Sequence, residues 1–420
     1  MIDINKVKIF CNKHYFAVVI FIFSIVHSFI IFTNNIPNGV SSEIYAIHAV
    51  DFGLGFCSKL LPGAIYNIFF DSVSSFKTTA YLFVLLLLFY VVLSFVLEKF
   101  ILKIKEENRK TAFIILAFLL TGPVSLALHS YYPGMLDMYW VFCALLFFVL
   151  LSAKQLKPLI FLPFVLCVTV YFASLLCFIP FFAIILLYEI SCTQEKKQKA
   201  LLWVLFIVSV VAAVGLGGYF AIFEENNLAL SIEEFHEIYS KRGLDIDHFF
   251  YFDQSLYKDI ESFGYDEFEV FELKSDSAIE RILWEIALRI NYNLTAIGIK
   301  DKLVIFALAF PLFSFILWFM LSQAKVNFKS KNILKGFANV CMVILPFFTI
   351  FTSVLFSEDI IRWISHGFIT LTASFIFILY NEGDQAWNWV REKIEKIPFV
   401  ALLFYFIFNA TTIYSPYYSG

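Results

Sequence analysis

Charge is scarce in this sequence. Only 15% of its 420 residues are Asp, Glu, Lys or Arg, against 60% that are hydrophobic. Soluble domains run at roughly 25% charged, so a water-facing surface cannot be built from what is here. The seven cysteines (Cys11, Cys57, Cys143, Cys167, Cys177, Cys192 and Cys341) show no CxxC and no paired spacing. Only Cys57 falls in a segment read below as external, so no external disulfide is expected. No HExxH or comparable metal spacing occurs, which leaves His236 and His248 as solvated loop histidines. Internal repeats and low-complexity tracts are also missing, and there is no basic stripe of the kind that nucleic acid requires.

What the chain has instead is long apolar runs. Mean hydropathy is +0.81 and Phe alone contributes 54 residues. The solvent for most of such a chain is lipid. Runs bounded by charge place spans near 15–33, 80–97, 111–128, 138–152, 158–172, 173–190, 200–222, 303–322, 337–356, 364–381 and 398–415. That predicts an all-α polytopic bundle of about eleven transmembrane helices. The stretch 158–190 is long for one span and short for two. Pro163 and Pro180, with a tight turn at Phe172–Ser174, favour two. The basic start MIDINKVK resembles the charged end of a signal peptide. The apolar run behind it is long enough to span and carries no small-residue cleavage site, so it reads as a retained first helix.

Positive charge orients the bundle. Twenty basic residues fall in alternate segments beginning with the N-terminus. Only Lys59, Lys77 and Arg362 fall in the short segments between them, and eight lie in the long segment 224–302. The positive-inside rule then gives N-in, C-out. Three parts follow: an N-terminal bundle over 1–222 with two external loops, a large external loop over 223–302, and C-terminal helices over 303–420. In the large loop, Ser231 and Glu234 have capping-box spacing before EFHEIYSKR, and Gly243 can end that helix. Ser277 and Glu280 repeat the signal before RILWEIALRI.

Span interiors read as nearly devoid of ionisable groups, His27 being the main exception. That moves any chemistry to the external face. There, AVDFGLGFCSKLLPG over 49–63 offers Asp51 and Lys59. Asp51 is either a turn residue or a base, with Gly53 and Gly55 letting a substrate approach the backbone. Lys59 either snorkels at the interface or meets a lipid phosphate. Asp137 either caps the fourth helix or acts as a second acid. Asp359 and Arg362 in SEDIIRW form an i,i+3 pair or hold a pyrophosphate. Arg242, Arg281 and Arg289 can contact an anionic glycolipid or local acids. GLGG at 215–218 most simply permits close helix packing.

An acid in each of the first two external loops of a multi-span protein resembles the GT-C glycosyltransferases, over about residues 1–222 and in topology more than motif. The resemblance maps Asp51 to the catalytic base and Asp137 to the second-loop acid. Family members commonly carry adjacent acids or DxD, whereas Asp51 is followed by Phe52 and Asp137 by Met138. The whole chain also resembles O-antigen and capsule polymerases, whose loop arginines hold lipid-pyrophosphate sugars. That implicates Arg242, Arg281 and Arg289. Both resemblances imply one chemistry: a polyprenyl-linked sugar donor is attacked by a glycan or glycolipid acceptor at the outer face of the bacterial cytoplasmic membrane. Neither fixes a cofactor, a divalent cation being the one that such chemistry admits. The rival classes are a flippase for lipid-linked glycans and a non-catalytic envelope scaffold.

Overall fold

The structure, a computed structural model, describes residues 10–35, 42–121, 134–223, 225–244, 287, 299–356 and 360–411. These residues are helical throughout, apart from turns and one isolated bridge between Gly55 and Leu228. The helices are α1 (Tyr15–Asn35), α2 (Ser42–Ala49), α3 (Leu61–Tyr66), α4 (Ser75–Lys103), α5 (Glu106–Thr121), α6 (Leu136–Ser152), α7 (Phe161–Val170), α8 (Phe178–Cys192), α9 (Lys196–Phe223), α10 (Ile232–Ser240), α11 (Ile299–Lys329), α12 (Ile333–Phe356), α13 (Ile360–Glu382), α14 (Asp384–Ile394) and α15 (Phe399–Thr411). All seven cysteines are thiols.

Among the described residues, five helices are long and apolar enough to cross a membrane: the segments 75–103, 196–223, 309–329, 333–352 and 363–382. Shorter apolar helices pack between them. The 29 residues of α4 reach about 44 Å at ~1.5 Å per residue, more than a bilayer's hydrocarbon needs. Ser74 starts this helix by accepting from the Lys77 amide at 3.3 Å, and Lys103 in its last turn suits the negative end of the helix dipole. Residues 158–190 form two helices, α7 and α8, joined by a 3-10 turn over Phe172–Leu176.

Neighbours in sequence pack as the short connections demand, α11 on α12, α12 on α13 and α6 on α7, and α9 also packs on α7, across the intervening α8. One end of the bundle gathers the basic clusters. There Lys105 pairs with Asp384 at 2.7 Å, Lys335 with Glu382 at 2.7 Å and Lys157 with Glu189 at 3.2 Å. The amphipathic α14 lies across this end, burying Ala386, Trp387, Val390 and Ile394. Lys393 sits over the rings of Trp318 and Trp389 at 5.4 and 5.7 Å, an aromatic and basic anchor of interfacial kind.

The GLGG stretch divides its labour. Gly217 lies against Leu175, where a Cβ would fall 2.5 Å from Cδ1, whereas Gly215 and Gly218 face nothing within 4 Å. One glycine of the three serves close packing.

Candidate functional site

The end opposite the basic clusters is built by the first loop, the start of α6, the end of α7, the start of α13 and residues 225–244. Asp51 lies at its centre. It caps the 3-10 turn Phe52–Leu54, and its Oδ1 accepts from the Gly53 amide at 2.9 Å and from the Tyr239 hydroxyl at 3.1 Å. Its Oδ2 accepts from Asn67 Nδ2 at 2.8 Å and from Arg242 Nη1 at 2.6 Å. Burial by itself would raise this carboxyl. The Arg242 and Gly53 hydrogen bonds, the Arg242 charge and Asn67 outweigh it and hold the group below its ordinary value. Tyr239 shifts the other way, raised by burial and by the Asp51 charge.

The capping box that delivers Arg242 forms as its spacing predicts. Ser231 Oγ accepts from the Glu234 amide at 3.3 Å, and Glu234 Oε2 accepts from the Ser231 amide at 3.0 Å. Helix α10 then buries Phe235 and Tyr239 against the first loop, and Gly243, at φ +96°, turns the chain after it. The Arg242 carbonyl accepts from the Val73 amide at 2.8 Å.

The glycines beside Asp51 do not behave as the sequence suggested. Gly53 has the Asp51 carboxylate itself within 2.9 Å of its virtual Cβ. Gly55, at φ +137°, would place a Cβ 2.0 Å from the Asn227 carbonyl oxygen. The Ala229 amide donates to the Leu54 carbonyl at 2.7 Å. The close approach that Gly55 allows is therefore to the chain's own residues 227–229, and the one at Gly53 is to the Asp51 and Tyr239 side chains, where a substrate was expected.

Lys59 has φ +70°, a left-handed conformation that costs a non-glycine residue about 1–2 kcal/mol. Its amide is fixed on the Val170 carbonyl at 2.9 Å, its side chain is buried, and its ammonium lies 4.9 Å from the centre of the Tyr171 ring. This is a held cation rather than one snorkelling into water. Tyr171 stacks parallel to Trp140, with centroids 6.0 Å apart. Trp140 in turn meets the His366 ring edge-on at 5.3 Å.

His366 leads to Asp137. Their Nε2 and Oδ1 atoms are 3.6 Å apart, and both side chains are almost wholly buried, 1% and 6% exposed. Asp137 lies in the first turn of α6, where the helix dipole favours a carboxylate. The N-cap itself is Met135, which makes no side-chain cap bond. The expectation of dry span interiors fails here. His366 is inside a span-length helix, and Glu98 of α4 is likewise buried, with His14 Nδ1 2.8 Å from its Oε2. Each is tolerated because an opposite group meets it. The signal for His366 was in the sequence, as one histidine in RWISHGF at the head of a run of mostly apolar positions.

His48 in α2 is a further buried histidine. Its Nδ1–H donates to the Ile44 carbonyl at 2.7 Å, so its Nε2 accepts from the Tyr139 hydroxyl at 2.6 Å. Burial pushes this imidazole down to about 4.

Of the candidates read from sequence, the structure brings Asp51 and Arg242 into contact and places Lys59 and Asp137 at the same end. For Arg362 only the helical backbone of α13 is described. Arg281, Arg289 and Asp359 lie outside the described residues, as does the 277–280 helix signal. Among the described residues, no three His, Cys, Asp or Glu side chains converge as a metal site would require. The donor set at Asp51 also suits a divalent cation poorly, because the Arg242 guanidinium holds the position such an ion would take. Compared with family models, curated proteins and solved structures, the chain matches none.

Proposed function

We propose that this chain is an integral membrane enzyme of surface-polysaccharide synthesis. It transfers a glycosyl group from a polyprenyl-phosphate-linked sugar to a glycan or glycolipid acceptor at the outer face of the bacterial cytoplasmic membrane. The observation that carries this reading is the Asp51–Arg242 contact. An acid from the first loop and an arginine from the large loop, 191 residues apart, are held at 2.6 Å at one end of a helical membrane bundle.

Among the described residues, both Arg242 side-chain hydrogen bonds, to Asp51 Oδ2 and to the Ala49 carbonyl at 3.2 Å, run through Nη1. Among the described residues, the Nε and Nη2 edge of the fork has no such bond, and the side chain is 31% exposed. A planar fork fixed on one edge presents its other donors to a phosphate. Lys59 adds a second cation, from the first loop. The four donors on Asp51 make it a weak base and a good anchor, so in this proposal it orients Arg242, and proton acceptance falls to Asp137. The acceptor hydroxyl attacks the anomeric carbon and forms the new C–O bond. The bond to the phosphate oxygen breaks, its electron pair leaves with the phosphate, and the hydroxyl proton passes to the carboxylate. The basic end faces the cytoplasm, consistent with eleven spans, N-in and C-out.

The test is a deletion strain complemented with Arg242→Lys. Surface glycan should fall about 10²-fold at normal protein level, since a point charge does not replace the fork. Unreacted lipid-linked sugar should build up in the outer leaflet. A wild-type glycan ladder from Arg242→Ala would end the proposal, and build-up in the inner leaflet would instead give the chain a flippase's role.

A further inference from the structure

Three large apolar side chains stand in the open at the Asp51 end. Ile68, Phe69 and Phe76 are 75%, 66% and 83% exposed. Their backbone is held in place. The Ile68 and Phe69 amides donate to the Ile65 and Tyr66 carbonyls at 3.3 and 2.9 Å. Tyr66 is buried, and its hydroxyl donates to the Ser72 carbonyl at 3.2 Å. Phe76 is in the first turn of α4 and Lys103 in its last, about 40 Å apart at ~1.5 Å per residue. That exceeds the roughly 30 Å of a bilayer's hydrocarbon, so with Lys103 at one boundary Phe76 reaches the other.

Two cations flank this edge. Arg242 Nη1 and Asn67 Nδ2 share two acceptors: Asp51 Oδ2, at 2.6 and 2.8 Å, and the Ala49 carbonyl, at 3.2 Å from each. The guanidinium therefore lies beside the residue that precedes Ile68. The Val73 amide donates to the Arg242 carbonyl at 2.8 Å, so Arg242 follows the course of residues 67–73. Next to Val73, Lys77 Nζ donates to Ser72 Oγ at 2.7 Å, its only side-chain bond among the described residues. The acid within this stretch is Asp71, which is exposed.

A plain membrane anchor accounts for the three apolar side chains. It does not account for an arginine brought to them from another loop and held by one edge of its fork. Charged donors beside exposed hydrocarbon suit an amphiphile whose phosphate sits at the membrane boundary. Two cationic groups match the two charges of a sugar diphosphate linkage better than the single charge of a phospholipid diester. Asp51 offsets part of the Arg242 charge, so Lys77 carries much of the attraction.

We infer that residues 67–77 and Arg242 form the docking edge for a polyprenyl diphosphate-linked sugar. The diphosphate lies between the Nε and Nη2 edge of Arg242 and the Lys77 ammonium. The chain runs over Ile68, Phe69 and Phe76 into the outer leaflet. The inference rests on the proposed glycosyl transfer. It names the donor's linkage as a diphosphate, makes Lys77 one of its binding residues and gives its hydrocarbon a place.

The experiment uses the full chain in phosphatidylcholine nanodiscs with farnesyl diphosphate that carries a diazirine on its chain. Crosslinks are expected in the peptide covering 68–77 and should be competed by unlabelled farnesyl diphosphate. Lys77→Gln should cut this labelling about tenfold, the loss of one charged contact, and the double variant Phe69→Ser/Phe76→Ser about as much. Both phenylalanines are exposed, so their replacement leaves the packed core intact. Asp71→Asn should keep or strengthen the labelling. Ile333→Ser, at an exposed position of the basic end, should leave it unchanged. Competition by farnesol as strong as that by farnesyl diphosphate would reduce the edge to an anchor and overturn the inference. Equal competition by phosphatidylglycerol would make it a general anionic-lipid surface, and equal competition by inorganic pyrophosphate would remove the role of the chain. Either result overturns it too. Loss of glycan in Arg242→Lys with no labelling at 68–77 would overturn this inference and leave the transferase reading standing. Labelling confined to 68–77 together with a wild-type glycan ladder from Arg242→Ala would keep the lipid site and remove the transferase reading.

Discussion

Asp51 and Arg242 meet at 2.6 Å although 191 residues separate them in the chain. The contact makes the first loop and the segment around α10 one structural unit, because Tyr239, Asn67 and the Val73 amide close around the same two residues. Arg242→Ala leaves a carboxylate that is 18% exposed without its cation. That should cost about 2 kcal/mol, between the ~1 kcal/mol of an exposed pair and the ~3–5 kcal/mol of a buried one. Asp51→Asn keeps the turn geometry and should cost less. A double-mutant cycle on detergent melting temperatures should return a coupling well above zero, and additive effects would show the contact to be incidental.

Gly55 and Gly218 make a paired prediction. Gly55 combines φ +137° with a backbone carbonyl where its Cβ would go, whereas Gly218 faces open space. Gly55→Ala must push residues 227–229 away from Leu54, so it should lower thermal stability and expose the 225–244 segment to limited proteolysis. Gly218→Ala should be neutral or stabilising by up to about 1 kcal/mol, the helix-propensity difference. Equal proteolysis of the two variants would contradict the docking seen here.

How much of this was legible in sequence follows from what each feature depends on. The capping box at Ser231 and Glu234 was readable because both partners lie within one turn. The break between α7 and α8 was readable from local proline and turn chemistry. The Asp51–Arg242 contact was not, because nothing local in either segment names a partner 191 residues away. Gly53 and Gly55 misled for the same reason: a glycine announces that something comes close, and here that something is the chain itself. His366 was hidden differently. It was counted as part of an apolar run, and only the packing of α13 on α6 shows that it meets Asp137.

Exposed positions at the two ends test the orientation. Glu237 on α10 and Lys331 between α11 and α12 are both exposed. With the native cysteines replaced, Glu237→Cys should react with a membrane-impermeant maleimide in intact cells, and Lys331→Cys only after permeabilisation. The opposite pattern would put the Asp51 end in the cytoplasm and remove the outer-face chemistry altogether.

The last prediction concerns acid. His48 is wholly buried and neutral, with its pKa lowered from 6.5 to about 4. Its ring faces Tyr66, Tyr81 and Tyr139, whose phenols do not titrate in this range. The folded protein therefore binds fewer protons here than the unfolded chain between pH 6.5 and 4. The contribution of His48 to stability is complete above pH 6.5 and declines as the pH falls through that window. At ~1.4 kcal/mol per unit, the loss by pH 5 is about 2 kcal/mol. His48→Gln gives up the Tyr139 contact geometry, so it should start from a lower melting temperature at pH 7.5. It has no proton to gain, so its melting temperature should drop less between pH 7.5 and 5 than that of the wild type. Parallel pH curves for the two proteins would place the acid sensitivity elsewhere and leave His48 as a packing residue only.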